Sequence, residues 1–276
     1  MADYRIGFKW WALIIAVVFV ISELVCVACV PERPVACDEK PGKISDMFKA
    51  LFKNDQAMTV VVSIILVYTS LNICGNLVLY FFRFDVGNEG AYSIFAAVAF
   101  AAQVLVMMVI PLLRKRFSKS QLFISGFIIQ IAGFAVILIM AFAKLYTPQS
   151  WYILCLPGIL IYLGYGMLNV IMTIFLSDSV DYGEVMNGTR EESVIFSMQT
   201  FTVKLASGVA VFLAGLVVDW IHLDTAAAVQ TQDTLDALRM WMTIPSVILL
   251  IVGIFVFKRF YKLDDTRMEE IKSKLN

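Results

Sequence analysis

The sequence predicts an all-α, polytopic membrane protein with seven transmembrane helices. Of its 276 residues, 60% are hydrophobic and 16% are charged, whereas soluble domains are roughly 45–50% apolar and about 25% charged. A membrane-spanning helix needs about 20 mostly apolar residues. Seven blocks reach that length: 8–30, 58–82, 91–113, 122–143, 151–176, 196–221 and 238–257.

The remaining composition excludes several classes of function. No basic block is large enough to form a phosphate-binding face, so a nucleic acid is not an expected partner. Five cysteines, an odd number with four in apolar blocks, argue against a disulfide framework. His222 is the only histidine, which argues against a histidine-rich metal site. We therefore expect no metal site and no bound cofactor.

Charge asymmetry predicts the orientation of the spans in the lipid bilayer. The connections on one side of the membrane, together with the C-terminal tail, hold sixteen basic residues, and those on the other side hold five. Positive residues stay cytoplasmic. We therefore expect a multi-pass protein of the cell membrane with a cytoplasmic C-terminus and an N-terminus outside.

The spacing of the blocks predicts four segments. Residues 1–30 are a first transmembrane helix, 31–57 a cytoplasmic connector, 58–257 a six-helix unit and 258–276 a cytoplasmic tail. Within the connector, Ser45 is a candidate N-cap for an amphipathic helix over 46–54. A signal peptide at 1–30 is disfavoured because the apolar stretch is long and Glu23 interrupts it. The preferred explanation for an N-terminus outside without a cleavable signal is that the chain begins in the middle of a larger protein, with one helix of the first part followed by a six-helix half.

A polar stripe in the sixth block marks a candidate binding face. Ser197, Thr200, Lys204 and Ser207 fall within about 80° of one another at 100° per residue. A lysine inside a span costs a few kcal/mol unless it is paired or hydrated. The alternative is that Lys204 extends its ammonium to the interface. Eight residues of helix precede it in the block, so a lysine that lines a binding site is the preferred interpretation.

Two further stripes lie on the second and fifth blocks. Asn72 and Asn76 share one face of the second span, and Asn169 and Thr173 share one face of the fifth. Carboxamide and hydroxyl groups along a cavity suit a hydroxyl-rich solute. Helix–helix hydrogen bonding is the alternative. For Asn72 and Asn76 the cavity is favoured, whereas for Asn169 and Thr173 the two interpretations stay equal.

A run of acidic residues follows the fifth block on the basic side. Between Ser177 and Ser193 the sequence has five carboxylates and one arginine, Arg190. They are expected in a cytoplasmic loop, either as ion-pair partners for basic loops or as a metal site. In the second case Asp178 and Asp181, three residues apart, would face one way on a helix and hold Mg²⁺ bound to a diphosphate.

The same segment carries a recognisable pattern. Its residues are Asp178-x-x-Asp181-Tyr182-Gly183-Glu184, Gly188-x-Arg190-x-Glu192-Ser193 and Ser197-x-Gln199-Thr200-x-x-x-Lys204. This pattern closely resembles the glycoside–pentoside–hexuronide:cation symporters, a family of the major facilitator superfamily. By that resemblance the seven spans correspond to helices 6–12 of a twelve-helix transporter.

The resemblance implies roles for particular residues. Lys204 and Thr200 would lie in the central sugar-binding cavity, and Arg190 would help to close an inward gate within a network that includes Asp178, Asp181, Glu184 and Glu192. The position aligned with Asn169 holds a sugar-stacking tryptophan in one family member, melibiose permease, so that member's galactoside specificity is not expected here. The family's cation-binding carboxylates lie on the first five helices, outside this sequence.

The expected function is secondary active transport of a sugar or glycoside coupled to Na⁺ or H⁺, without enzymatic activity. The expected partners are the sugar, the coupling cation, the bilayer and a separate N-terminal half, without which the chain has half a cavity and no coupling-ion site. Two alternatives stay open. A seven-helix receptor or photoreceptor would explain a buried lysine, and a Mg²⁺-dependent prenyltransferase-like enzyme would explain the paired aspartates.

Overall fold

The computed structural model describes residues 2–29, 52–188, 190, 192–227 and 229–275. It divides into two compact units, Met1–Gly42 and Lys43–Asn276. The first unit holds one described helix, α1 (Ala2–Cys29). Most of the predicted connector, including the expected amphipathic helix up to residue 51, lies outside the described residues.

The described residues of the second unit form six long helices and one short C-terminal helix. A π-helical turn, Phe81–Asp85, prolongs the first of them, and a 3₁₀ turn, Trp151–Leu154, precedes the fourth. The helices are α2 (Asp55–Tyr80), α3 (Ala91–Leu113), α4 (Lys119–Phe142), α5 (Cys155–Asn187), α6 (Glu192–Trp220), α7 (Gln232–Phe260) and α8 (Asp265–Leu275).

Seven helices among the described residues, α1 to α7, are long and apolar enough to cross a membrane. No strand occurs in the described ranges. These observations confirm the predicted fold class, an all-α polytopic membrane protein.

Side-chain caps set several helix ends. The Ser118 hydroxyl accepts a hydrogen bond from the Gln121 backbone N–H, and the Gln121 side-chain oxygen accepts one from the Ser118 backbone N–H, so a capping box begins α4. The Asn54 carboxamide oxygen accepts from the Ala57 amide at the start of α2. Gly188 ends α5 in the left-handed region, with φ of 73°, where the missing Cβ removes the steric penalty.

The packing of the six helices follows an inverted repeat. α5 packs against α3 and α4, and α2 packs against α6 and α7, while α2 meets α5 and α4 meets α7. Exchanging α2–α4 with α5–α7 leaves this set of neighbours unchanged. The Asn54 side chain, at the start of α2, donates a hydrogen bond to the Ser179 carbonyl near the end of α5 at 2.8 Å, so these two ends lie together. The two triplets therefore run in opposite directions, as in transporters of the major facilitator type.

Two ends of the bundle are distinguished below. At the Lys119 end, α2, α4 and α6 begin and α3, α5 and α7 finish. At the Arg239 end the order is reversed, because successive helices alternate in direction. The Lys119 end is the one for which the charge count predicts a cytoplasmic location.

The structure corrects the predicted acidic loop. The apolar block ends at Leu176, but α5 continues to Asn187, so Asp178, Asp181 and Glu184 lie on a helix. The predicted tail, 258–276, also contains a helix of its own, α8. α8 packs on this part of α5, with Leu263, Met268 and Ile271 buried against Tyr182 and Val185.

Candidate functional site

Helices from opposite repeats meet at a hydrogen bond between α2 and α5. The Asn169 carboxamide on α5 donates to the Tyr68 hydroxyl on α2. The ring of Tyr68 also packs edge-on against Tyr165, with centroids 5.5 Å apart and an interplanar angle of 77°. Both Tyr68 and Asn169 are half-buried. The contact therefore places directional polar groups beside aromatic faces, as a sugar ring requires.

The hydrogen bonds continue from α5 to α6. The Thr173 hydroxyl donates to the Asn169 carbonyl at 3.1 Å, and the Gln199 amide donates to the Thr173 hydroxyl at 3.4 Å. Thr173 is exposed on the six-helix unit. Tyr68, Asn169, Thr173 and Gln199 thus form one connected polar row across three helices, and this set is called the polar row below.

Asn72 and Asn76 continue from Tyr68 along α2 at four-residue spacing. The Asn72 amide donates to the Tyr68 carbonyl at 2.7 Å, and the Asn76 amide donates to the Asn72 carbonyl, also at 2.7 Å. Both side chains are half-buried. Each bond uses one N–H, and a carboxamide has a second N–H and an oxygen for further partners. Their assignment to a cavity stays a prediction.

Thr200 and Lys204 lie on α6 and are exposed on the six-helix unit. The Thr200 hydroxyl lies 3.5 Å from the Phe196 carbonyl of its own helix. Among the described residues, the Lys204 ammonium has neither a carboxylate within salt-bridge distance nor a hydrogen-bond acceptor. The structure thus brings Asn169 and Thr173 into the polar row, while a sugar contact for Lys204 and Thr200 stays a prediction.

A buried ion pair joins α4 to α5 at the Lys119 end. The ammonium of Lys119 contacts the carboxylate of Asp178, and both side chains are 7% exposed. Asp265, which begins α8, lies 3.5 Å from the same ammonium. Burial opposes ionisation of Asp265, but the hydrogen bonds and charge of Arg114, at 3.3 Å, outweigh it and lower its pKa. Asp265 therefore contributes to the docking of α8 at neutral pH, and this contribution is lost as the pH falls through that lowered pKa.

A second, more exposed ion cluster surrounds Arg190. Its guanidinium lies 3.1 Å from Asp181, 2.7 Å from Glu184 and 3.2 Å from Glu192. The hydrogen bond that Arg190 donates to Glu184, followed by those it donates to Glu192 and Asp181, raises the pKa of Arg190 despite the opposing effect of desolvation. Asp178 and Asp181 therefore pair with different cations. This arrangement matches ion pairing with basic segments and gives no geometric support to a shared Mg²⁺ between them.

The structure also contains a buried charge cluster at the Arg239 end, which sequence reasoning missed. Arg239 on α7 donates to Asp85 through Nε at 2.7 Å and through Nη2 at 2.5 Å. It also donates to Asp236 at 2.6 Å, and the Tyr146 hydroxyl donates to Asp85 at 2.7 Å. In the sequence Arg239 was only one of the five basic residues of its side, and 154 residues separate it from Asp85.

Sequence reasoning missed Tyr68 as well, although a signal for it existed. Tyr68 precedes Asn72 by four residues, the spacing that places two side chains on the same face of a helix. Its contact with Asn169 spans 101 residues, and nothing in either local pattern indicates which helix faces which.

The fold defines a class of protein, a polytopic helical membrane protein built from an inverted repeat, and the polar row lies on that repeat. The model of the MFS/sugar transport protein family matches residues 3–265. The chain belongs to this family, which includes the glycoside–pentoside–hexuronide:cation symporters.

Curated relatives agree with this membership. The chain is 25% identical to an uncharacterized symporter, YjmB, of Bacillus subtilis over 254 residues, which cover 91% of the chain and 54% of the relative. It is 23% identical to the raffinose carrier protein of Pediococcus pentosaceus, covering 84% and 35%. For the isoprimeverose transporter of Lactiplantibacillus pentosus the identity is 25%, covering 94% and 52%. The chain thus spans about half the length of these relatives or less.

Proposed function

We propose that the chain is the C-terminal part of a sugar:cation symporter, without enzymatic activity. The observation that carries this proposal is the polar row, which links α2, α5 and α6 in a unit whose helices are otherwise strongly apolar. Family membership and relatives named for raffinose and isoprimeverose support a sugar as the solute.

In this proposal the sugar binds between the six-helix unit and an N-terminal half, which is on the same polypeptide or a separate one. The chain contributes Asn72, Asn76, Asn169, Thr173, Thr200 and Lys204 to the cavity. Hydroxyl and carboxamide groups hydrogen-bond the sugar, and Lys204 adds a charged donor that the watery cavity keeps hydrated. The exposure of Thr173, Thr200 and Lys204 on the isolated unit supports a face that another half covers.

The same proposal assigns the ion clusters and the orientation. The Lys119 end faces the cytoplasm of a cell whose plasma or inner membrane holds the protein. Arg190, with Asp181, Glu184 and Glu192, and Asp178 with Lys119 stabilise one state of a cytoplasmic gate. The coupling ion, Na⁺ or H⁺, binds mainly in the N-terminal half. The receptor and prenyltransferase interpretations gain no support from the family.

Uptake into proteoliposomes tests the proposal. A complete transporter, meaning the chain with its N-terminal half, is supplied with labelled galactosides, pentosides and hexuronides under either a Na⁺ or a proton gradient. We expect at least one sugar to accumulate, and collapse of one of the two gradients to abolish the accumulation. Correctly inserted protein that accumulates no member of the panel under either gradient would contradict the proposal.

A further inference from the structure

Two buried basic side chains among the described residues of the six-helix unit occupy matching environments at opposite ends. Lys119 and Arg239 each pair with a carboxylate as buried as themselves: side-chain exposures are 7% for Lys119 and Asp178, and 3% for Arg239 and Asp85. Each base also contacts a second, more exposed carboxylate. These are Asp265 at 40% and Asp236 at 38% exposure.

The helices that carry one ion pair correspond, in the inverted repeat, to the helices that carry the other ion pair. Lys119 begins α4, the third helix of one repeat, and its partner Asp178 lies on α5, the first helix of the other. Arg239 lies near the start of α7, and its partner Asp85 ends the π-helical turn that prolongs α2. Since α4 corresponds to α7 and α5 to α2, each pair is formed by corresponding elements.

Close contacts further along the same helices occur at matching distances in sequence from the two ion pairs. Seven residues after Arg239 is Ser246, and fifteen before Asp85 is Ser70. These serines exchange hydrogen bonds with each other's carbonyls at 2.8 and 3.1 Å.

In the other helix pair, Gly126 stands seven residues after Lys119, and Gly164 stands fourteen before Asp178. A Cβ on Gly164 would lie 2.6 Å from the Gly126 carbonyl oxygen. The α4–α5 and α2–α7 interfaces therefore match in both charge and close contact, to within one residue.

We propose that Arg239, Asp85, Asp236 and Tyr146 form a positioning latch that fixes the end of α2, and that it is the structural counterpart of the Lys119, Asp178 and Asp265 cluster that fixes α5. The two clusters are called the Arg239 latch and the Lys119 latch. Their functional meaning rests on the proposed transport function, because α2 and α5 carry Asn72, Asn76, Asn169 and Thr173.

The geometry of the Arg239 latch fits a positioning role. Two nitrogens of Arg239 bind both oxygens of Asp85, a two-point contact that fixes direction as well as distance. Tyr146, from the segment between α4 and α5, bonds the same carboxylate and packs edge-on against Phe81, 5.5 Å away. The latch thus ties the end of α2 to α7 and to the α4–α5 connection.

Thiol labelling of the full chain in lipid nanodiscs tests the latch without sugar or transport. A cysteine replaces either Asn72 on α2 or Thr173 on α5, and mass spectrometry follows its alkylation separately from the native cysteines. The Arg239 latch is removed by Asp85→Asn with Arg239→Gln, and the Lys119 latch by Asp178→Asn with Lys119→Gln. Removing both partners avoids an unpaired buried charge. Lys144→Gln, an exposed change at the Arg239 end, is the control.

Loss of the Arg239 latch is expected to raise the labelling rate at position 72 at least about threefold more than at position 173, through local opening of α2. Loss of the Lys119 latch should raise the labelling rate at position 173 more than at position 72. Arg239→Lys, which keeps the charge but not the two-point contact, should raise the rate at position 72 by less.

Equal changes in labelling rate at positions 72 and 173 would mean that each ion cluster stabilises the whole unit rather than one helix, and this would overturn the proposal. Unchanged labelling rates in double variants that unfold cooperatively would also overturn it. If a double variant does not fold, an unchanged rate at position 72 in Arg239→Lys overturns it as well. Because sugar uptake is measured separately, a failed latch and a failed transport function give different results.

Discussion

Replacing Lys119 by methionine is expected to lower the free energy of unfolding by about 3–5 kcal/mol, the usual cost of leaving one member of a buried ion pair without its partner. Asp178 would then remain at 7% exposure with no other cation in salt-bridge contact among the described residues. Chemical denaturation of the chain in detergent micelles, followed by tryptophan fluorescence, measures the change.

The partner substitution should cost less. Asp178→Asn leaves Lys119 with Asp265, 3.5 Å away, so the remaining charge keeps a counter-ion. Lys119→Met combined with Asp178→Leu should recover most of the loss, because no unpaired charge remains. Lys115→Met, at an exposed lysine in the α3–α4 turn four residues before Lys119, is the matched control. Equal losses for Lys119→Met and Lys115→Met would contradict the assignment of Lys119 to a buried pair.

Replacing Lys204 by alanine is expected to abolish sugar accumulation in the complete transporter while membrane insertion is retained. In the proposed cavity the ammonium is a charged hydrogen-bond donor to the sugar, and methyl cannot replace it. Lys204 makes no salt bridge with a described residue, so the substitution breaks no ion pair of the six-helix unit. Proteoliposome uptake, normalised to the amount of inserted protein, measures the effect.

Two further variants separate a cavity role from a loss of positive charge alone. Lys258→Ala removes an exposed lysine from the last turn of α7 and should leave uptake unchanged. Lys204→Arg keeps the charge but enlarges the head group, and it should raise the KM for the sugar more than it lowers the maximal rate. Normal accumulation by Lys204→Ala would refute the assigned role.

The number of helices followed from the sequence because each span has to be apolar over about 20 residues. The ends of the helices were harder to predict. Hydropathy falls after Leu176, yet α5 continues to Asn187, because ion pairs and α8 hold the extension at the Lys119 end. An apolar block therefore shows where a helix crosses the membrane and not where it ends.

The candidate site was predictable only within single helices. The spacing of Asn169 and Thr173 identified one face of α5, but their link to Tyr68 and Gln199 depends on how separate helices pack. The Arg239 latch could not be predicted for the same reason. Asp85 and Arg239 lie near opposite ends of the sequence of the six-helix unit, and they meet only because α2 of one repeat packs against α7 of the other.

The most direct test of the central claim is the environment of position 204 in the complete transporter. A Lys204→Cys variant is treated with a membrane-impermeant thiol reagent, in the presence and absence of the transported sugar, and labelling at residue 204 is followed by mass spectrometry. We expect labelling from the aqueous phase, slowed several-fold by saturating sugar because the solute occupies the same cavity. A thiol that resists the impermeant reagent but reacts with a lipid-soluble one, at a rate independent of sugar, would place this residue against lipid and contradict the account.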